Sequence, residues 1–290
     1  MVNEKDKVMA KQPKVIILRT AGTNCNEETA FAFKSCGAAV DQVHINKLLD
    51  GEVNLKDYHI LAIPGGFSYG DDIESGRILA NELRLKLGEP LSKFIGEGKL
   101  IIGICNGFQV LVRSGILPGA LNELEEKNYA FTQKVTLTNN DSAKFEDRWI
   151  HLKVSGNSVW TQGVKDIVYF PVAHGEGKFV VKDEMILKRL KDNGQIVFRY
   201  VAASGHASQY PDNPNGSMEN IAGITDRTGR ILGLMPHPER HFLFTQHPFW
   251  TRLENKTKLG DGAKIFQNGV DYVKQHLLKD KSTLVASVLS

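Results

Sequence analysis

Lys99-Leu-Ile-Ile-Gly-Ile-Cys105-Asn-Gly107-Phe-Gln109 is the stretch from which the fold can be read. An apolar, β-branched run delivers one cysteine into a glycine-flanked turn, and a helical pattern opens behind it over residues 106–113. A side chain on such a turn projects from the carboxyl edge of a sheet. The helix N-terminus behind it favours a thiolate and leaves backbone N–H groups for an oxyanion. Taken alone, Cys105 could equally be a small buried hydrophobe closing a strand.

On the N-terminal side, residues 1–12 are polar and are expected to form a flexible tail. Pro13 precedes a short aliphatic run at 15–18, the pattern of a buried parallel strand. Residues 26–36 read as a helix with acids in its first turn and Gly37 just past its end. Strands are predicted at 39–45 and 58–63, and a helix over 75–87 stopped by Gly88 and Pro90. This alternation predicts an α/β fold with a mostly parallel sheet and helices on both faces. Beyond Pro118 the segments 129–137, 148–154, 167–172 and 195–202 read as strands with few helices between them, which predicts an antiparallel extension. A polar loop (204–218), a final apolar strand (231–235) and a terminal helix (263–277) follow. With no repeat and no linker, residues 13–278 are expected to form a single domain, followed by a tail at 279–290.

Composition excludes several classes. The net charge of +3, from 36 basic and 33 acidic residues, is too balanced for a nucleic-acid surface. Cys25, Cys36 and Cys105 form no C-x-x-C pair, so neither a zinc nor a dithiol spacing is present and a reducing compartment fits. No apolar run approaches the roughly 18 residues of a membrane span, and the charged N-terminus is unlike a secretory signal. A cytoplasmic protein with no membrane or nucleic-acid partner is expected. Cys25 and Cys36 lie off the nucleophile turn and read as structural, and Trp149, Trp160 and Trp250 as packing residues.

A cysteine nucleophile needs a base to hold its proton and an acid to orient that base. Gly233-Leu-Met-Pro-His237-Pro-Glu239-Arg240 offers both at the end of the last apolar strand, with two prolines fixing the backbone around His237. A structural histidine is the alternative, since eight other histidines compete. Pro64-Gly65-Gly66-Phe-Ser-Tyr-Gly70-Asp-Asp72 leaves a third strand and is bare enough for backbone N–H groups to approach an oxyanion.

Together the motifs around Cys105, Gly65-Gly66 and His237 resemble those of the class I, triad-type glutamine amidotransferases. Arg19-Thr-Ala-Gly-Thr-Asn24, Ala173-His-Gly-Glu-Gly177 and Asn213-Pro-Asn-Gly-Ser217 are similar, more narrowly, to the glutaminase subunits of phosphoribosylformylglycinamidine synthases. The resemblance covers roughly residues 14–250 and implies a flavodoxin-like sheet. It implies Cys105 as nucleophile, His237 as base and acid, and Glu239 as its orienting carboxylate. The Asn106 N–H and one from Gly65 or Gly66 would hold the oxyanion, and Gln109, His174, Gly175 and Glu176 would hold glutamine.

The resemblance further implies no metal or cofactor in this chain. ATP and magnesium belong on a large formylglycinamidine ribonucleotide synthetase subunit, with a small bridging subunit as a further partner. The chain fits this division: it lacks a phosphate-binding G-x-x-x-x-G-K-[ST] loop. Two alternatives are a catalytically silent scaffold subunit and an unrelated Cys-His-Glu hydrolase. The chain departs from compact family members by extra length at 1–12, near 202–213 and after 254, and in the run 72–77.

Overall fold

Aliphatic runs with no polar position can be buried only where both faces of a sheet are covered. In this protein four such runs are strands β1 (Lys14–Arg19), β3 (Ile60–Ile63), β4 (Leu100–Ile104) and β11 (Ile231–Leu234), whose aliphatic side chains are buried throughout. The structure, a computed structural model, describes residues 12–71, 76–122, 131–207, 209–254 and 258–279. The expected tails, apart from residues 12 and 279, and residues 72–75 lie outside these.

Strand β2 (Ala39–His44) joins the four in a parallel block of order β2-β1-β3-β4-β11. Strands β10 (Ile221–Thr225), β9 (Ile196–Val201), β6 (Glu146–Val154) and β7 (Ile167–His174) continue the same nine-stranded sheet in antiparallel pairings. Helix α1 (Asn26–Ser35) and the terminal helix α7 (Ala263–Tyr272) cover one face, where Phe33 meets Phe266 edge-on at 5.1 Å. Helices α3 (Arg77–Lys86), α4 (Gly88–Gly96) and α5 (Asn106–Arg113) cover the other; α2 (Ile45–Leu49) is one short turn after β2.

Several expectations are corrected. The helix over 75–87 does end before Gly88, with Leu87 as its C-cap, but a second helix not expected there, α4, starts at once with Pro90 in its first turn, where proline lacks only an N–H that would be unbonded anyway. Helix α6 (Glu184–Asp192), capped by the Asp183 side chain on the Ile186 N–H, was not anticipated. The predicted strand at 129–137 is shorter, β5 (Val135–Thr138), with residues 129–130 outside the described set. It pairs with β8 (Lys178–Val181) in a separate two-stranded sheet that packs Phe179 on Phe108 of α5. Trp160 is fully buried, but Trp250 is 45% exposed and is no packing residue.

Candidate active site

Parallel pairing sets Ile63 beside Gly103 and Ile104 beside Leu234, so the chain leaves β3, β4 and β11 at one edge within neighbouring loops. Sites of open α/β sheets form at this edge. Cys105 follows β4 directly with φ 52° and ψ −108°, a region costly for a side-chain-bearing residue by about 1–3 kcal/mol. Its N–H donates to the Leu234 carbonyl at 2.8 Å, and its carbonyl accepts from the Phe108 and Gln109 N–H groups at 3.0 and 3.1 Å, starting α5 immediately. The two flanking glycines make the turn possible: a Cβ on Gly103 would lie 2.6 Å from the Gly107 carbonyl oxygen, and one on Gly107 1.8 Å from that of Ile63.

After β11, Pro236 and Pro238 bracket His237, and Pro238 opens a short 3-10 turn over Pro238–His241. The His237 N–H donates to the Pro171 carbonyl at 2.9 Å, tying the segment to β7. His237 Nδ1 lies 2.6 Å from Glu239 Oε1, and both side chains are buried. Burial opposes the charged imidazole, but the Glu239 carboxylate and the Cys105 sulfur outweigh it and hold His237 well above its ordinary value. Nε2 has no well-aligned hydrogen-bond partner among the described residues, while Cys105 stands close enough to act on the ring by charge and as a hydrogen-bonding thiol.

The loop after β3 closes the third side. A Cβ on Gly65 would meet His237 Cε1 at 2.8 Å and Cys105 Cβ at 3.4 Å, so only bare backbone fits there. The Gly65 carbonyl accepts from the Asn24 and Cys25 N–H groups, whereas neither Gly65 nor Gly66 donates its own N–H within the described residues. Ser68 N–H and hydroxyl both donate to Asn106 Oδ1, locking the loop to the residue after the nucleophile.

The remaining predicted residues are held together by hydrogen bonds beside Cys105. Gln109 Nε2 donates to the Glu176 carbonyl at 2.6 Å, while its Oε1 accepts from Asn106 Nδ2 at 2.9 Å. Arg113 pairs with the Glu176 carboxylate at 3.2 Å. Gln109 thus straps the 174–177 loop to α5. The Gly175 carbonyl accepts from the Asn140 N–H at 2.9 Å. The His174 ring is buried between Asn140 Oδ1 (3.1 Å) and Asn215 Nδ2 (3.4 Å), while the neighbouring Ala173 carbonyl faces the Cys105 thiol at 3.7 Å.

Burial, with the nearby charge of His237, pushes the His174 imidazole down to about 3. It stays neutral in the fold, whereas in the unfolded chain it takes up a proton near pH 6.5. The stabilisation is therefore present above pH 6.5 and is lost as pH falls from there toward 3, by up to about 1.4 kcal/mol per unit. Denaturant unfolding at pH 7 and pH 5 is expected to show His174→Gln losing about 2 kcal/mol less than the wild type. Equal losses would remove His174 from this role.

Two residues escaped the sequence reading. Cys25, read as structural, lies with its sulfur 3.9 Å from His237 Nδ1 and 3.1 Å from an Arg240 NH2 group. Arg240 in turn reaches Glu28 at 3.5 Å. The signal was positional: Cys25 follows β1, the neighbour of β3, and so emerges at the same sheet edge. Cys36 is remote, and burial lifts its thiol to about 12.

A strained cysteine, a buried histidine–carboxylate pair and a bare glycine loop at one sheet edge can carry out acyl transfer by a thiol. Residues 12–273 match the model of the CobB/CobQ-like glutamine amidotransferase domain, and the chain belongs to that family. The sheet, with a parallel block and an antiparallel extension, is that of class I glutamine amidotransferases.

Within it, the chain is 49% identical over 264 residues to phosphoribosylformylglycinamidine synthase subunit PurQ of Dehalococcoides mccartyi, over 90% of this chain and 98% of the relative. The subunit of the same name from Methanococcus maripaludis is 42% identical over 272 residues, 90% and 97% of the two chains. A chain in the structure of PurLQS from Thermotoga maritima superposes with a TM-score of 0.67 at 30% identity, covering 91% of this chain and all of that one. No described helix is long and apolar enough to cross a membrane.

Proposed function

We propose that this chain is the glutaminase subunit of a phosphoribosylformylglycinamidine synthase, carried by one amidotransferase domain over residues 13–278. It hydrolyses glutamine and hands ammonia to a separate ATP-dependent synthetase subunit, with a small bridging subunit as a further partner. The observation that carries this reading is the meeting of Cys105, the 2.6 Å His237–Glu239 pair and Gly65 in a chain so similar to PurQ relatives.

In the reaction, the Cys105 thiol passes its proton to His237, and its sulfur attacks the side-chain amide carbon of glutamine. Negative charge developing on the amide oxygen is held by the Asn106 N–H, at the start of α5, and one from Gly65 or Gly66. The His237 imidazolium gives its proton to the departing nitrogen, releasing ammonia and leaving a glutamyl thioester. His237, now neutral, takes a proton from water, which attacks the thioester; the thiol leaves and glutamate is freed. Glu239 holds the ring and stabilises its charged form throughout. Gln109 and the loop containing His174, Gly175 and Glu176 shape the wall against which glutamine lies. ATP and magnesium act on the synthetase, and no cofactor is assigned to this chain.

The test is glutamate release from glutamine by the chain alone and with the synthetase, the bridging subunit, ATP and formylglycinamide ribonucleotide. Stimulation by the full assembly, with ammonia incorporated into the amidine, is the expected result. Glutamine hydrolysis that no partner or acceptor substrate alters would point to a free-standing hydrolase.

A further inference from the structure

Cys25 is the one thiol at this site that the thioester chemistry leaves unused. It is buried, its S–H donates to Asn24 Oδ1 at 3.1 Å, and its sulfur faces His237 Nδ1 at 3.9 Å. The Cys25 sulfur, a His237 ring nitrogen and a Glu239 carboxylate oxygen all lie within 4.8 Å of one another. Glu239 uses only Oε1 on His237; its Oε2 is buried without a hydrogen-bond partner among the described residues. An unbonded buried carboxylate oxygen is costly unless something takes it up.

We propose that Cys25, His237 and Glu239 form a binding site for a soft divalent cation, zinc foremost, whose occupation switches the glutaminase off. Tetrahedral zinc, with bonds of about 2.3 Å to sulfur and 2.0–2.1 Å to imidazole, sets those two atoms about 3.6 Å apart. The observed 3.9 Å is within a few tenths of that value. Nδ1 and Oε1 are too close together for one metal, so Oε2 is the carboxylate ligand and the Nδ1–Oε1 hydrogen bond opens. Water completes the shell. Binding displaces the Cys25 thiol proton and the Nδ1 proton to solvent. The Arg240 guanidinium, 3.1 Å from the sulfur, opposes the cation and limits affinity, while Glu28 draws part of that charge away. With Nδ1 on the metal, His237 can no longer be steered by Glu239 or exchange protons with Cys105 and the leaving ammonia. This last step rests on the glutaminase reading, whereas metal binding does not.

Zinc is titrated against a chromophoric chelator into the full-length wild type, Cys25→Ser, Cys25→Ala and Cys105→Ala, with cobalt as a spectroscopic probe of a metal–sulfur bond. The wild type and Cys105→Ala are expected to bind about one zinc equally tightly and to show sulfur-to-cobalt charge-transfer absorption. Both Cys25 variants are expected to bind at least about 100-fold more weakly, since losing a direct ligand costs more than the 10–100-fold of an outer partner. Zinc is expected to inhibit glutamine hydrolysis in the wild type but not in Cys25→Ser, whose metal-free rate stays within about threefold of normal. No stoichiometric binding, undiminished binding by the Cys25 variants, or binding lost in Cys105→Ala would each overturn the proposal; the last would put the metal on the nucleophile and His237. A wild type that binds zinc through Cys25 but never hydrolyses glutamine would sink the glutaminase reading instead.

Discussion

Cys105→Ala is expected to lower partner-stimulated glutamine hydrolysis by roughly 10⁴-fold or more while leaving the fold and binding to the synthetase intact. The sulfur stands on the turn between β4 and α5, where the thioester is to form, and without it His237 and Glu239 lose the nucleophile they serve. Residual rate reflects only oxyanion stabilisation and substrate positioning, as when other triads are dismantled. Truncation removes one sulfur whose hydrogen bond to the Ala173 carbonyl is long, at 3.7 Å, so stability changes little. Glutamate release with saturating partner and substrate measures the effect, and circular dichroism verifies the fold. A rate within about tenfold of the wild type would exclude Cys105 as nucleophile.

Gly107→Ala is expected to destabilise the protein by roughly 3–5 kcal/mol and to lower Tm by about 10 °C, although helix propensity alone argues the opposite. Alanine favours a helix interior by about 1 kcal/mol over glycine. Against that stands a Cβ placed 1.8 Å from the Ile63 carbonyl oxygen, a backbone atom of β3 that cannot turn aside. To fit the methyl, α5 must lift off the sheet by more than an ångström, disturbing the packing of Phe108 and Leu111 and moving Cys105 away from His237. Stability and activity should therefore fall together. Gly96→Ala, at the end of α4 with nothing within 4 Å of the added carbon, is the control and should be neutral or slightly stabilising. Thermal unfolding of the two variants side by side checks the pair, and a Gly107→Ala protein as stable as the wild type would mean that α5 does not seat so closely.

Much of this was legible along the chain. The aliphatic runs at 15–18, 60–63, 100–104 and 231–234 mark strands buried on both faces, and the glycines at 103 and 107 mark a turn that presents Cys105. The less legible elements were those whose local signals are weak or divided. Helix α4 begins with Gly88 and Pro90, residues that as often end a helix. Strands β5 and β8 are four residues each and make sense only as a pair resting on α5. Strand β10, absent from the sequence expectations, contains Gly223, where a side chain would strike Leu234 and the Gly233 carbonyl, and it is defined by its pairing with β11 and β9.

By itself, then, the sequence determined the local elements of the parallel block and the kind of chemistry carried at the ends of β3, β4 and β11. Alternation, β-branching and glycine conformation act over a few residues and leave their mark there. Only the tertiary structure decided that β7, at the far edge of the sheet, returns so that Ala173 meets Cys105 and Pro171 holds the His237 backbone. It alone decided that Gln109 straps the Glu176 loop, and that Cys25 shares His237 with Glu239. Apart from the neighbouring His237–Glu239 pair, those contacts join residues 66 to 212 positions apart. They depend on strand order, register and sheet curvature, which long-range pairing sets and no local preference encodes.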